Sequence, residues 1–189
     1  MSDTWLQACV PGARTVGNVK LKPFTVGHAL LLERIGLDIV LTRQDFHAFA
    51  GICSRNYEQA SKWLEWYLSP IGQWFYNWKP IFCNITEAIT QAIDYLVQNK
   101  QLPEVMQNED SNLTGNKYGT PDLQAARTIA ISKLNYDPQT INDAPLGQLY
   151  WDILSNNELN GGARIIEGEF AQGLQELQRL ADLRKPQES

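Results

Sequence analysis

The stretch LKPFTVGHALLLERIGLDIVL, residues 21–41, decides the fold class because it holds the clearest helix signals and the densest apolar run. Thr25 is a predicted N-cap, since its hydroxyl can accept a hydrogen bond from an unpaired amide of the first turn. Apolar residues then recur at helical spacing, and Gly36 supplies the left-handed conformation that ends many helices. Residues 37–41 are apolar at nearly every position, so we expect this segment to lie in the core.

Helical signals recur along the rest of the chain, where capping residues precede apolar residues at spacings of three and four. The predicted helices run from Arg43 to about Ser54, from Asn56 to the residue before Pro70, from Asn84 to the residue before Pro103, from Thr120 to Asn135, from Asp143 to Asn160, and from Glu167 onward. In the helix that follows Thr120, we expect Pro121 at the first helical position.

Strand signals are weak by comparison. Val16, Val19 and Leu21 predict one short strand, and residues 163–166 read either as a short strand or as a crossing link. The predicted fold class is therefore all-α: an irregular multi-helix bundle with short strands near the N-terminus and around residues 163–166.

One polar segment divides the chain. Residues 104–119, EVMQNEDSNLTGNKYG, are rich in Asn and Gly, which predicts a mobile loop. It separates an N-terminal helical region, residues 1–103, from a C-terminal helical region, residues 120–189. The two regions can equally belong to one domain.

Composition narrows the class of protein. Sixteen Lys and Arg against twenty-one Asp and Glu give a net charge of −5, which disfavours a nucleic-acid partner. The three cysteines lack any CxxC spacing, which is typical of a reduced cytoplasmic protein. No signal peptide and no run long enough to span a membrane is present, so we expect no membrane partner.

Catalytic and metal-binding patterns are missing from the sequence. The only histidines, His28 and His47, lie inside predicted helices, and His47 and Cys53 fall on nearly opposite sides of one helix. The carboxylates have none of the usual metal-ligand spacings, and the glycines form no phosphate-binding loop. We therefore predict no catalytic residue, no cofactor and no metal, and expect that the protein is not an enzyme.

Aromatic residues are concentrated between residues 63 and 82, which hold eight of the nineteen in the chain. One interpretation is a helix–helix core, because such side chains contribute large apolar burial. The other is an exposed patch that binds a protein partner, since Trp and Tyr anchor interfaces. The candidate partner-binding residues are Trp74, Phe75, Tyr76 and Trp78.

Two short segments resemble a known family. PFTVGHALLLERIG, residues 23–36, is similar to small proteins of tailed-phage and prophage morphogenesis clusters, in which a Pro-hydrophobe-Thr/Ser-x-Gly-His start leads into a Leu-rich helix. NDAPLGQL, residues 142–149, resembles the acidic-x-Pro-Leu helix start of tail assembly chaperones. Together the two segments cover 22 of the 189 residues of the chain.

The resemblance implies an all-helical cytosolic protein that binds the long helical tape measure protein of a phage tail and keeps it soluble during assembly. It implies no catalytic residues. Two alternatives stay open. A structural virion or tail component, or another non-catalytic interaction module, would bind other chains or self-associate as a homo-oligomer, whereas an unrecognised enzyme would show a deep pocket with ionisable groups.

Overall fold

The computed structural model describes residues 14–78, 84–100, 104–107, 121–161 and 163–166. Seven α-helices run through these ranges: α1 (Val26–Arg34), α2 (Arg43–Cys53), α3 (Tyr57–Leu68), α4 (Pro70–Trp78), α5 (Ile85–Lys100), α6 (Asp122–Lys133) and α7 (Leu146–Leu159). A single 3-10 turn, Ile141–Asp143, precedes α7. Four short strands, β1 (Arg14–Val16), β2 (Val19–Leu21), β3 (Glu104–Gln107) and β4 (Ala163–Ile166), form two antiparallel pairs. The prediction of a mostly helical, irregular bundle is confirmed.

The N-terminal strand prediction is wrong in detail. Residues 14–21 form two strands of three residues each rather than one strand, and they pair as a hairpin with Val16 opposite Val19. The two residues between them, Gly17 and Asn18, are a dipeptide that favours such a turn. The Gly17 amide donates to Gln91 Oε1 at 2.8 Å, which fastens the turn to α5.

Helix α1 begins and ends as predicted. Thr25 Oγ1 accepts a hydrogen bond from the His28 amide at 3.3 Å, and His28 Nδ1 accepts one from the Thr25 amide at 3.2 Å. At the other end Gly36 has a φ of 66°, and the Leu37 amide donates to the Leu32 carbonyl at 2.9 Å. This pairing is a Schellman motif, in which a left-handed residue lets the chain satisfy the last carbonyls of the helix.

The link between α1 and α2 is only partly core. Leu37 and Val40 are buried, whereas Ile39 is 49% exposed and Leu41 is 66% exposed. Residues 37–41 lie in neither a helix nor a strand, and some of their side chains face the core while others face solvent. The prediction that the whole segment lies in the core is therefore wrong for Ile39 and Leu41.

The predicted loop at residues 104–119 begins with a strand. Residues 104–107 form β3, which pairs antiparallel with β4, and Val105 stands opposite Ile165. The loop prediction is wrong for these four residues, because the strand partner lies far along the chain and leaves no local signal. Of the two alternatives for residues 163–166, the structure shows the short strand. Residues 108–119, and the terminal helix predicted from Glu167 onward, lie outside the described ranges.

The helix predicted after Thr120 starts one residue later than expected. Pro121 stands at the N-cap position of α6 rather than at the first helical position, and Asp122 is the first residue of the helix. Asn135, with a φ of 57°, follows its end as expected. Helix α7 likewise begins one residue after Pro145.

Two distant segments meet at what we call the joint, residues 24–28 and 142–146. The Val26 amide donates to the Ala144 carbonyl at 3.0 Å, and the Leu146 amide donates to the Phe24 carbonyl at 2.9 Å. Gly27 lies so close that an added Cβ would stand 2.6 Å from the backbone oxygen of Asn142. The joint therefore lies within the two segments that carry the resemblance, residues 23–36 and 142–149.

The joint also positions α3. His28 is fully buried, and its Nε2 bonds to the carbonyl of Arg55 at 2.7 Å. The Asp143 carboxylate accepts a hydrogen bond from the Tyr57 amide, the first of α3, at 2.8 Å. A carboxylate at this end of a helix is favourable, because it faces the unpaired amides and the positive end of the helix dipole. The N-terminus of α3 is thus attached to both segments of the joint.

One apolar core runs through both regions of the chain. It joins Phe24 and Phe49 to Leu149, which are all fully or nearly fully buried. Tyr95 of α5 lies between the first two rings in edge-to-face contacts at 5.9 and 5.8 Å. Its hydroxyl donates to the Lys22 carbonyl at 2.6 Å, so the most polar atom of this core residue is paired.

Replacing Gly27 with Ala tests the joint. A Cβ at Gly27 would lie 2.6 Å from the backbone oxygen of Asn142 and 2.3 Å from Tyr57 Cδ2, so both the Tyr57 ring and the backbone at the joint must shift. We expect the free energy of unfolding in urea to fall by about 2 to 3 kcal/mol, although Ala favours helix more than Gly does. Gly36→Ala is the control, because its surroundings are open and only backbone strain of about 1 kcal/mol applies. If the free energy of unfolding fell equally in the two variants, the joint would accommodate the added methyl group without a specific cost.

The buried imidazole makes stability depend on pH. Burial lowers the pKa of His28, against a smaller opposing effect from its hydrogen bond to Arg55. The folded state therefore favours the neutral ring, so this contribution is complete above the unfolded pKa of about 6.5 and declines as the pH falls below it. The loss is at most about 1.4 kcal/mol per pH unit for one proton.

The matched variant is His28→Gln, since Gln can keep the capping box without a titrating ring. Urea unfolding between pH 7 and about pH 5 should show a steeper loss for the wild type than for this variant. Parallel pH profiles would assign the acid sensitivity to other groups.

Candidate interaction surface

Helices α3 and α4 meet in a tight corner built around Ser69. Its hydroxyl accepts a hydrogen bond from the Gly72 amide at 3.1 Å and donates to the Trp66 carbonyl at 2.6 Å. Pro70 follows as the first residue of α4, a position where its missing amide proton costs nothing. The prediction that α3 ends before Pro70 is confirmed. The same Ser-Pro pair also signals a new helix start, which the sequence analysis missed.

The corner is close-packed. A Cβ on Gly72 would stand 2.1 Å from the Trp66 carbonyl oxygen and 3.0 Å from the Tyr67 Cα. Only a residue without a side chain lets the first turn of α4 lie this near to the last turn of α3. The orientation of α4 is therefore held by backbone contact as well as by hydrogen bonds.

Tyr76 packs inward from α4. Its ring contacts those of His47 at 5.0 Å, Tyr67 at 5.2 Å and Trp63 at 5.8 Å, so it joins α4 to α2 and α3. Trp63 Nε1 donates a hydrogen bond to the Tyr76 hydroxyl at 3.2 Å. For Tyr76 the helix–helix interpretation of the aromatic segment is the one that the geometry supports.

The neighbouring residues of α4 point the other way. Ile71 is 73% exposed, Trp74 65% and Phe75 46%. Their spacing of three and four places them on one side of the helix. Trp66 and Leu68 of α3 are also exposed, and the Trp66 ring contacts that of Phe75 at 5.9 Å.

We call this surface the aromatic face: Trp66, Ile71, Trp74 and Phe75. It contains two of the four candidate residues, Trp74 and Phe75, while Tyr76 is half-buried and packs against α2 and α3. The side chain of Trp78, the last residue of α4, lies outside the described part of the structure. Ile71 was not among the candidates, and its helical spacing to Trp74 was the available signal.

Size and charge set this face apart. From the exposed fractions, these four side chains present on the order of 500 Å² of mainly apolar surface, which is as large as the biggest patch on a typical monomer. Glu65 is the only charged residue between Trp63 and Trp78, and α4 carries no charge at all. A patch of this kind marks an interaction site more often than chance exposure.

The other candidate groups lie apart from this face. Cys53 is fully buried, and burial raises the pKa of its thiol. His28 is occupied by two backbone hydrogen bonds in the joint. Among the described residues, no three His, Cys, Asp or Glu side chains are grouped closely enough to hold a metal ion.

A shallow concavity of about 250 Å³ lies beside the β1–β2 turn. Its lining includes Asn18, Asn84 and Glu87, and the Gln91 oxygen there already accepts the Gly17 amide. The residues that line this concavity do not include a nucleophile paired with a base.

No described helix combines the length and apolar character needed to cross a membrane.

Comparisons of the chain with protein-family models, with curated proteins and with solved structures find no match.

Adjacent residues of α4 should differ sharply in their effect on stability. Trp74→Ala removes an exposed side chain, so the free energy of unfolding should change by less than about 1 kcal/mol. Tyr76→Ala removes a ring packed among aromatic neighbours and should cost about 3 kcal/mol. Urea denaturation of the two variants measures both values. A large loss for Trp74→Ala would place that side chain in the core.

Proposed function

We propose that this protein is a non-catalytic interaction protein that binds a helical partner chain through the aromatic face, as a tail assembly chaperone does for a tape measure protein. The observation that carries the proposal is the exposed stripe of Ile71, Trp74 and Phe75 on a helix that its neighbours hold in place. Large aromatic side chains at such positions dominate the binding energy of protein interfaces.

Pre-organisation supports this role. The Ser69 hydrogen bonds and the Gly72 contact fix the start of α4, and the inward ring of Tyr76 fixes its later part. A partner that docks on Trp74 and Phe75 therefore pays little for ordering the backbone beneath them. Trp and Phe also have few rotatable bonds, so the entropy lost on binding is small.

The shape of the surface favours an amphipathic helix as the partner element. Residues that project at spacings of three and four from one helix pack against the apolar stripe of another. Single-stranded nucleic acid fits less well, because no basic residue lies between Lys62 and Lys79 to contact phosphates.

The resemblance supplies the proposed identity of the partner. The two segments that carry the resemblance to phage morphogenesis proteins and tail assembly chaperones, residues 23–36 and 142–149, contact each other at the joint and hold the N-terminus of α3. They therefore build the scaffold from which the aromatic face projects. The proposed site of action is the cytoplasm of the cell in which the tail is assembled.

The test is co-expression with a tape measure protein encoded beside this chain. We expect the wild type to raise the soluble fraction of the tape measure protein and to co-purify with it. The double variant Trp74→Ala/Phe75→Ala should reduce the co-purified amount by at least about tenfold, since interface aromatics contribute the most binding energy. Circular dichroism should show that the fold is retained.

The matched control is Val97→Ala/Ile129→Ala, which truncates two exposed apolar side chains on α5 and α6. It should bind as the wild type does. Equal losses in the two double variants would argue against the aromatic face, and no complex with any tape measure protein would reject the proposed partner.

A further inference from the structure

We infer that the aromatic face also joins two copies of this chain, in a two-fold dimer in which α4 of one copy packs against α4 of the other. This inference goes beyond partner binding because it needs only the chain itself. The occupant of the face, when no partner is present, is a second copy of the same face.

Charge makes α4 the suitable helix for such a contact. A two-fold interface places the same patch on both copies, so each charged residue near the axis meets its own like charge. Helix α4 has no charged residue, whereas every other described helix has at least one. Among the described helices, α4 is the one that carries no charged residue, so it can face itself without opposing like charges near the axis.

The exposed side chains of α4 also lie near the middle of the helix, where two copies of α4 would cross. Trp74 is the fifth residue of the nine in α4, and Ile71 precedes it on the same side by one turn. When two such helices cross at their midpoints, the Trp74 rings meet near the axis and each flanking side chain packs on the other copy. Offset or edge-to-face contacts between the two indoles suit this arrangement.

The available area fits a weak dimer. About 500 Å² of apolar surface on each copy gives about 1,000 Å² in total, which is near the lower limit for a specific interface. We therefore expect a dissociation constant on the order of 10 μM. Each copy carries a net charge of −5, so repulsion opposes association and added salt should strengthen the dimer.

Self-association would then compete with partner binding. The dimer covers Trp74 and Phe75, the same side chains that the proposed partner contacts. The chain would keep its apolar patch out of water until a partner with higher affinity displaces the second copy.

Sedimentation velocity on the full chain alone tests the inference, over concentrations from about 1 to about 300 μM. The wild type should pass from monomer to dimer across this range. Trp74→Glu places two carboxylates near the axis and should raise the dissociation constant at least about 100-fold. Val97→Glu is the control: it adds the same charge on α5, at a side chain that is 54% exposed, and should leave the dimer unchanged.

Mixing two oppositely charged variants shows whether a loss of dimer comes from charge repulsion or from damage to the fold. Trp74→Glu and Trp74→Lys should each be monomeric alone, and an equimolar mixture should recover dimer, because opposite charges then meet at the axis. Ile71→Glu is a second variant at a side chain that is 73% exposed, and it should also dissociate the dimer.

A wild type that stays monomeric at the highest concentration overturns the inference. So does a dimer that persists in both Trp74→Glu and Ile71→Glu, since another surface would then form it. Neither result bears on partner binding, which is measured separately by co-purification.

Discussion

A pair of backbone hydrogen bonds, from Val26 to Ala144 and from Leu146 to Phe24, is the constraint on which the other elements depend. They hold the start of α1 against the start of α7, and Gly27 allows α1 to lie close to the backbone of Asn142 in the preceding 3-10 turn. The same segments hold the N-terminus of α3, through the Asp143 carboxylate and the His28 ring. Helix α3 in turn carries α4 at its other end, so the position of the aromatic face follows from contacts made at the opposite end of α3.

Local chemistry was sufficient to predict most helix starts. Thr25, Thr42 and Asn56 each accept the hydrogen bond that a capping residue should accept, because capping involves only residues three apart in the chain. The same holds for Gly36 and Asn135, whose left-handed conformations follow helix ends. A single sequence contains all the information that these local interactions need.

Features that depend on distant residues could not be predicted in this way. Strand β3 forms because it pairs with β4, which lies about sixty residues later in the chain. The difference in exposure between Phe75 and Tyr76 also depends on distant residues. Adjacent positions on a helix differ by about 100° in direction, so burial depends on where α2 and α3 stand, which periodicity within α4 does not reveal.

The sequence distance across the joint has a consequence for synthesis on the ribosome. Phe24 and Leu146 are bonded although 122 residues separate them, so α1 stays without its partner until the chain has been made past residue 146. At about 5 to 20 residues per second, this interval lasts roughly 6 to 24 seconds. Helices α3 and α4 are complete long before it ends. From the synthesis of residue 78 to that of residue 146, the nascent chain displays its aromatic segment on a scaffold that is not yet closed, and a nascent-chain binding factor would meet it there first.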